Sequence, residues 1–240
     1  MVDHTVKSYD RELDTIERRI AEMGGIAEKM VVGAMDALAN ADTVLAHEVV
    51  ATDLRIDALQ REIEHLAVTT IARRQPVAVD LRELIGAIRI AGDLERVGDL
   101  AKNIAKRAIK IGAAARVPRA IIGVKHMLEV ANELLKDVLD AYAQRDAERA
   151  REVWEGDVDL DALEDSVFRD LLTHMMEDPR NISFCAHLLF CSKNIERIGD
   201  HATNVAETVV YLVTGEAMPS DRPHGRKDFD IDSEAVGGTT

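Results

Sequence analysis

The sequence predicts an all-α protein built as two tandem, structurally similar three-helix bundles, six long helices in all. Three observations carry that expectation. Aromatic residues make up 3% of the 240-residue chain while hydrophobic residues make up 47%, a balance suited to long helices packed through aliphatic side chains. Apolar residues recur at intervals of three and four over stretches of about thirty residues, the helical period. A twelve-residue pattern also occurs twice, at residues 93–104 and 194–205.

The first helix is read from Tyr9 to about Asn40, with Leu13, Ile16, Ile20, Met23, Ile26, Met30, Val31 and Met35 on its apolar side. A short turn at Ala41 and Asp42 leads into a second helix through Val49, Ile56, Leu59 and Ile63. That helix ends before Pro76, whose ring disfavours helix at the preceding residue. Residues 75–79 form the hairpin loop, and Asp80 is placed to cap a third helix running to about Ala114. The small residues after Gly112 and the proline at 118 then separate the halves, and the pattern restarts. Ala37 to Asp42 aligns with Ala141 to Asp146 at an offset of 104, as do Asp53 with Asp157 and Asp57 with Asp161. After the hairpin loop, Asp178 to Ser183 in the second half, the offset is 101. The last helix is expected to reach about Val213. The expected divisions are residues 1–115 and 116–214 for the bundles, with 215–240, rich in Pro, Gly and charge, as a disordered tail.

Thirty Lys and Arg against 44 Asp and Glu leave a net charge of −14. That charge disfavours nucleic acid or an anionic bilayer as the main partner and suits cations and basic protein surfaces. Cys185 and Cys191 sit six apart in an apolar run without a metal or redox spacing, and read as buried free thiols of a reducing, cytoplasmic chain. The first residues lack the basic-then-apolar profile of a signal peptide, and no segment approaches the ~18 apolar residues of a membrane span. Neither a nucleophile and base spacing nor a phosphate-cradling glycine loop is present, so no enzyme is expected. Glu62 and His65 form one ExxH, but di-iron bundles need two.

The repeated pattern places Glu95, Asp99 and Asn103 in one column on the third helix, and Glu196, Asp200 and Asn204 in one column on the sixth. The seam of Leu94, Val97, Ala101 and Ile104 lies roughly opposite the first column. Folding the second and third helices back about residue 77 sets Asp57 level with residue 97; the equivalent fold about residue 180 sets Asp161 level with residue 199. Asp53 with Asp57, and Asp157 with Asp161, are thereby brought toward the acid columns. Carboxylates so clustered repel one another and raise each other's pKa unless a cation intervenes. Oxygen ligands suit Mg, Ca, Mn or oxidised Fe, and Zn with help from a histidine such as His201. The competing reading is a solvated helix face on which Arg96, Arg197, Lys102 or Lys106 pair with the acids. Continuing each column reaches Lys106 in the first half and Glu207 in the second, so the second site is expected to bind metal more tightly. Gly98 and Gly199, each just before the column Asp, mark close approach of another backbone or access to the acidic face.

The doubled Glu-Arg-(Val/Ile)-Gly-Asp-x-Ala-x-Asn pattern, the Asp80-Leu-Arg82 opening of the third helix, the tandem layout and the start at Tyr9 resemble the PhoU family of phosphate-signalling regulators. The likeness covers roughly residues 8–214. It implies a cytoplasmic, often dimeric, metal-binding protein that acts as a negative regulator of phosphate uptake and of the phosphate-starvation response. Its implied partners are a Pst-type phosphate ABC transporter and a PhoR-type sensor histidine kinase, between which it serves as an adaptor. The motif residues that match are Glu95, Asp99 and Asn103, then Glu196, Asp200 and Asn204. The alternatives are a carboxylate-bridged metal enzyme and a metal-storing helical scaffold.

Overall fold

The computed structural model describes residues 2–112 and 118–219. Among these the architecture is entirely helical: α1 (Val2–Asn40), α2 (Thr43–Arg74), α3 (Val79–Ile111), α4 (Pro118–Gln144), α5 (Ala147–Glu177) and α6 (Ile182–Thr214), with one 3₁₀ turn (Pro179–Asn181) before α6. Of the tail expected at 215–240, residues 220–240 lie outside the described residues, as does the junction at 113–117.

The repeat is written into the backbone as well as the sequence. Ala41 and Arg145, 104 positions apart, both adopt positive φ, 55° and 56°, and reverse the chain after α1 and α4. In each turn the following Asp N–H donates back across the turn, Asp42 to the Ala37 carbonyl at 3.0 Å and Asp146 to that of Ala141 at 2.9 Å, satisfying helix-end carbonyls. The same aspartates then cap the next helix. Asp42 accepts from the Val44 and Leu45 N–H groups, and Asp146 from those of Glu148 and Arg149, a contribution of about 1 kcal/mol each.

Two helix starts differ from expectation. The first helix begins at Val2 rather than Tyr9, because no Gly or Pro interrupts the intervening residues. The third begins at Val79 with Ala78 in the cap position and no side-chain cap; Asp80 sits inside the first turn, where its carboxylate still favours the positive end of the helix dipole.

Within each half the three helices pack on one another, and the halves join through α3 on α6 and α1 on α4. Contacts of Arg107 with His187, Asp93 with Asn204 and Arg82 with Tyr211 show that α3 and α6 run antiparallel along most of their length. The buried side chains form one continuous core through both halves. Small residues allow the helices this close: a Cβ at Gly86 would lie 2.6 Å from Leu212 across the α3–α6 seam, and one at Gly24 would lie 2.9 Å from Leu139 across α1–α4. Arg145 adds a polar tie, donating to Glu17 of α1 and Glu83 of α3.

Gly92 offers an internal control, since nothing lies within 4 Å of a Cβ there. Gly86→Ala should destabilise by about 1–3 kcal/mol through overpacking, whereas Gly92→Ala should stabilise by about 0.5–1 kcal/mol through helix propensity. Urea unfolding of the two variants measures the contrast, and equal shifts would refute the tight seam.

Candidate metal centre

The antiparallel register predicted for α2 with α3 and α5 with α6 is present. A Cβ at Gly98 would meet Ile56 at 2.8 Å, and one at Gly199 would meet Leu160 at 2.3 Å and Asp157 Oδ1 at 2.9 Å. The close approach at both glycines is therefore real, but it is made by side chains of the neighbouring helix rather than by its backbone.

In the first half this register gathers Asp53 and Asp57 of α2 with Glu95 and Asp99 of α3. Asp53 is only 6% exposed. Lys102 Nζ donates to Asp53 Oδ2 at 2.7 Å and also to Asp99 Oδ1, so an ammonium stands between the two carboxylates. Burial works against the charge on Lys102, but the hydrogen bonds and charges of Asp53 and Asp99 outweigh it and raise its pKa. Glu95 is shifted up, first by burial and then by Asp99, with Asp57 and Asp53 adding and Arg96 opposing. Arg96 lies 3.5 Å from Glu95 and 3.7 Å from Asp99, at an exposed position where such pairs contribute little. Asn103 is exposed.

The second half is built differently. Asp157 and Glu196 are 4% and 6% exposed, and Asp161 and Asp200 are half-buried. Lys102 is replaced at the equivalent position by Thr203, whose hydroxyl donates to the Asp200 carbonyl at 2.7 Å. The cation arrives from the other end of the column: Lys193 lies 2.8 Å from Glu196 and 3.7 Å from Glu164. Burial opposes the Lys193 charge, and Glu196, Glu164 and Asp200 together raise its pKa.

Asn204 turns toward the other half. Its Nδ2 donates to Asp93 Oδ1 at 3.3 Å, and His201 Nδ1 meets the same oxygen at 2.9 Å. Glu207 accepts from Trp154 Nε1 at 3.1 Å, and Lys106 is exposed. The inequality between halves therefore runs through Lys102 and Thr203, not through Lys106 and Glu207. Glu95 and Glu207 open on one cleft of about 490 Å³ between the halves, together with Arg89, Asp93 and His201.

Sequence reasoning missed the roles of Lys193 and Glu164 and the node formed by Asp93, His201 and Asn204. The three-residue spacing of Lys193 to Glu196 was a readable signal; the contact of Asp93 with α6 was not, because it spans the two repeats. Among the described residues no three Asp, Glu, His or Cys side chains converge on one point as ligands. In the first half Asp53 and Asp99 are held instead by Lys102. The donor set is nonetheless all carboxylate in both halves, the chemistry of a hard cation, and the second half lacks the intruding lysine at the position of Thr203.

Two similar three-helix halves, each with an acid column on its last helix, define a tandem three-helix-bundle fold rather than a di-iron bundle with ligands in its core. The family model described as the PhoU domain matches residues 20–108 and 124–209. The chain is 53% identical over 221 residues to a phosphate-specific transport system accessory protein PhoU homolog of Rhizobium meliloti, covering 92% of this chain and 93% of that one. It is 49% identical over 223 residues to the Caulobacter vibrioides protein of the same name, covering 93% and 97%. The crystal structure of PhoU from Pseudomonas aeruginosa aligns with a TM-score of 0.84 at 39% identity, over 87% of this chain and 100% of that chain. The phosphate transport system regulatory protein PhoU from Streptococcus pneumoniae aligns at 0.80 and 26%, over 88% and 99%. The chain belongs to the PhoU family.

Two expectations test the electrostatics. Lys102→Met strands the buried Asp53 carboxylate and should cost about 1–3 kcal/mol in chelator; adding Asp53→Asn should return part of the loss, and additive losses in the double variant would rule the coupling out. Because the folded state raises the Glu95 pKa, stability falls as pH climbs from the ordinary carboxylate value through the raised one. Glu95→Gln should accordingly melt higher than wild type near pH 7 and equally at about pH 3, as followed by circular dichroism.

Proposed function

We propose that this protein is a metal-binding negative regulator of phosphate uptake and of the phosphate-starvation response, acting from the cytoplasm as an adaptor between a Pst-type phosphate ABC transporter and a PhoR-type sensor histidine kinase. The observation that carries the phosphate-transport part is the near full-length match to relatives named as accessory proteins of that system, at up to 53% identity. Among the described residues no helix is long and apolar enough to cross a membrane, which fits a role exerted on membrane partners through protein contacts. Dimer formation belongs to the same reading.

The metal part is supported by the carboxylate sets. Asp157, Asp161, Glu196 and Asp200 would hold a cation in the second half, and Asp53, Asp57, Glu95 and Asp99 would do so in the first. A bound Mg, Mn, Fe, Ca or Zn ion would cancel the mutual repulsion of these carboxylates and cross-link α5 to α6 or α2 to α3. The chain's own residues decide when that is possible. Lys102 must leave Asp53 and Asp99 before the first site opens, whereas Thr203 presents no competing charge in the second. Lys193 reaches Glu196 from the opposite end of the column.

Deletion in the source bacterium should derepress phosphate-starvation genes in phosphate-rich medium, and restoring the wild-type chain should silence them; unchanged reporter expression after deletion would remove the regulatory reading. Calorimetric titration with Mn²⁺ addresses the sites separately. Asp200→Ala should abolish the tighter binding phase while Asp99→Ala leaves it in place, and equal losses from the two variants would defeat the ranking.

A further inference from the structure

The chain's negative charge is not evenly spread. From Leu100 to Ile111, α3 carries Lys102, Lys106, Arg107 and Lys110 and no acid; from Ile182 to Ile195, α6 carries Lys193 and His187 and no acid. At the chain average of 44 acids in 240 residues, about five would be expected in stretches of this combined length. The antiparallel packing lays the two stretches side by side, with Arg107 Nη1 3.3 Å from His187 Nδ1. On the α5 flank acids return, with Glu164 beside Lys193.

Two exposed apolar side chains, about two turns apart on α6, lie along this basic stretch. Phe190 is 55% exposed and Ile182 is 49% exposed, in a chain with only four phenylalanines. The Arg107 guanidinium lies 4.3 Å from the Phe190 ring centroid, a cation–π contact that fixes the ring while keeping a charge over it. Lys106 and Lys110 are exposed along the same end of α3, and neither forms an ion pair within the described residues.

We propose that this end of the α3–α6 face is a docking surface for an acidic segment of a partner protein, whose carboxylates meet Lys106, Arg107 and Lys110 while separate apolar side chains of the segment pack on Phe190 and on Ile182. Aromatic side chains and arginine are both enriched at protein interfaces, and the flanking cations supply steering and register. A lipid surface fits less well. One ring and one isoleucine offer little apolar area for insertion, and the chain as a whole, at −14, is repelled by an anionic bilayer. The assignment rests on the charge map and is independent of the metal sites.

The test places a photo-reactive phenylalanine analogue at position 182 of the full chain in the source bacterium, leaving Phe190 intact, and maps the cross-linked peptides by mass spectrometry. The expected product is a segment of another protein rich in Asp and Glu. Its yield should fall tenfold or more with Lys106→Glu plus Lys110→Glu, fall similarly with Phe190→Ala, and return when the cross-linked acids are changed to Lys. Lys106→Gln plus Lys110→Gln, with thermal melting unchanged from wild type, separates lost docking from lost folding. A cross-link to a second copy of this chain, to a segment without acids or to no protein overturns the proposal, as does a yield indifferent to charge reversal. Flotation with phosphatidylglycerol vesicles that depends on Lys106 and Lys110, without a protein cross-link, would assign the surface to lipid instead.

Discussion

Close packing of α3 against α6 is the constraint on which the rest of the molecule depends. Each of these helices is already buried against two neighbours of its own half, and the contact between them takes up a further side. Only a narrow strip of each remains for polar side chains. On α3 that strip carries Glu95, Asp99 and Lys102, and on α6 it carries Lys193, Glu196 and Asp200. The approach is possible because Gly86 leaves room for Leu212. A larger residue there would part the halves and unmake the cleft on which Glu95 and Glu207 open.

Within that frame the two halves solve the same electrostatic problem in different ways. Buried or half-buried carboxylates on adjacent helices need a positive partner. The first half answers with Lys102, inserted between Asp53 and Asp99. The second uses Lys193 against Glu196 and puts Thr203 where the first has its lysine. Twofold similarity of backbone thus coexists with unequal chemistry, and the node of Asp93 with His201 and Asn204 adds a link that has no twin, because the residue equivalent to Asp93 is Asn194.

Much of this was legible in the residues. Helical period, turn residues and the repeat offsets identified six helices, and even the levels at which α2 meets α3 and α5 meets α6 followed from folding about the two loops. Gly98 and Gly199 announced a close approach before it could be seen. Less legible was which cation answers which acid. Lys102 and Lys106 both follow Asp99 within two turns, and only the position of α2 makes Lys102 the one that reaches Asp53. Asp80 read as a cap because its residue type favours that role, yet the helix continues two residues further back since nothing in Val79 opposes it.

By itself the sequence determined the helices, their pairing within each half and the oxygen-rich columns, because those depend on spacings of a few residues along one chain. The tertiary structure alone decided that α3 and α6 lie side by side. That contact joins residues as far apart in the chain as 80 positions, Arg107 with His187, and 111, Asp93 with Asn204, whose facing is set by how whole apolar surfaces fit. From it follow the Asp93 node, the shared cleft and the basic platform around Phe190. The repeated motif and its Lys102/Thr203 difference are therefore properties of the chain, while which acids Lys102 reaches and the surface beside α6 are properties of the packing.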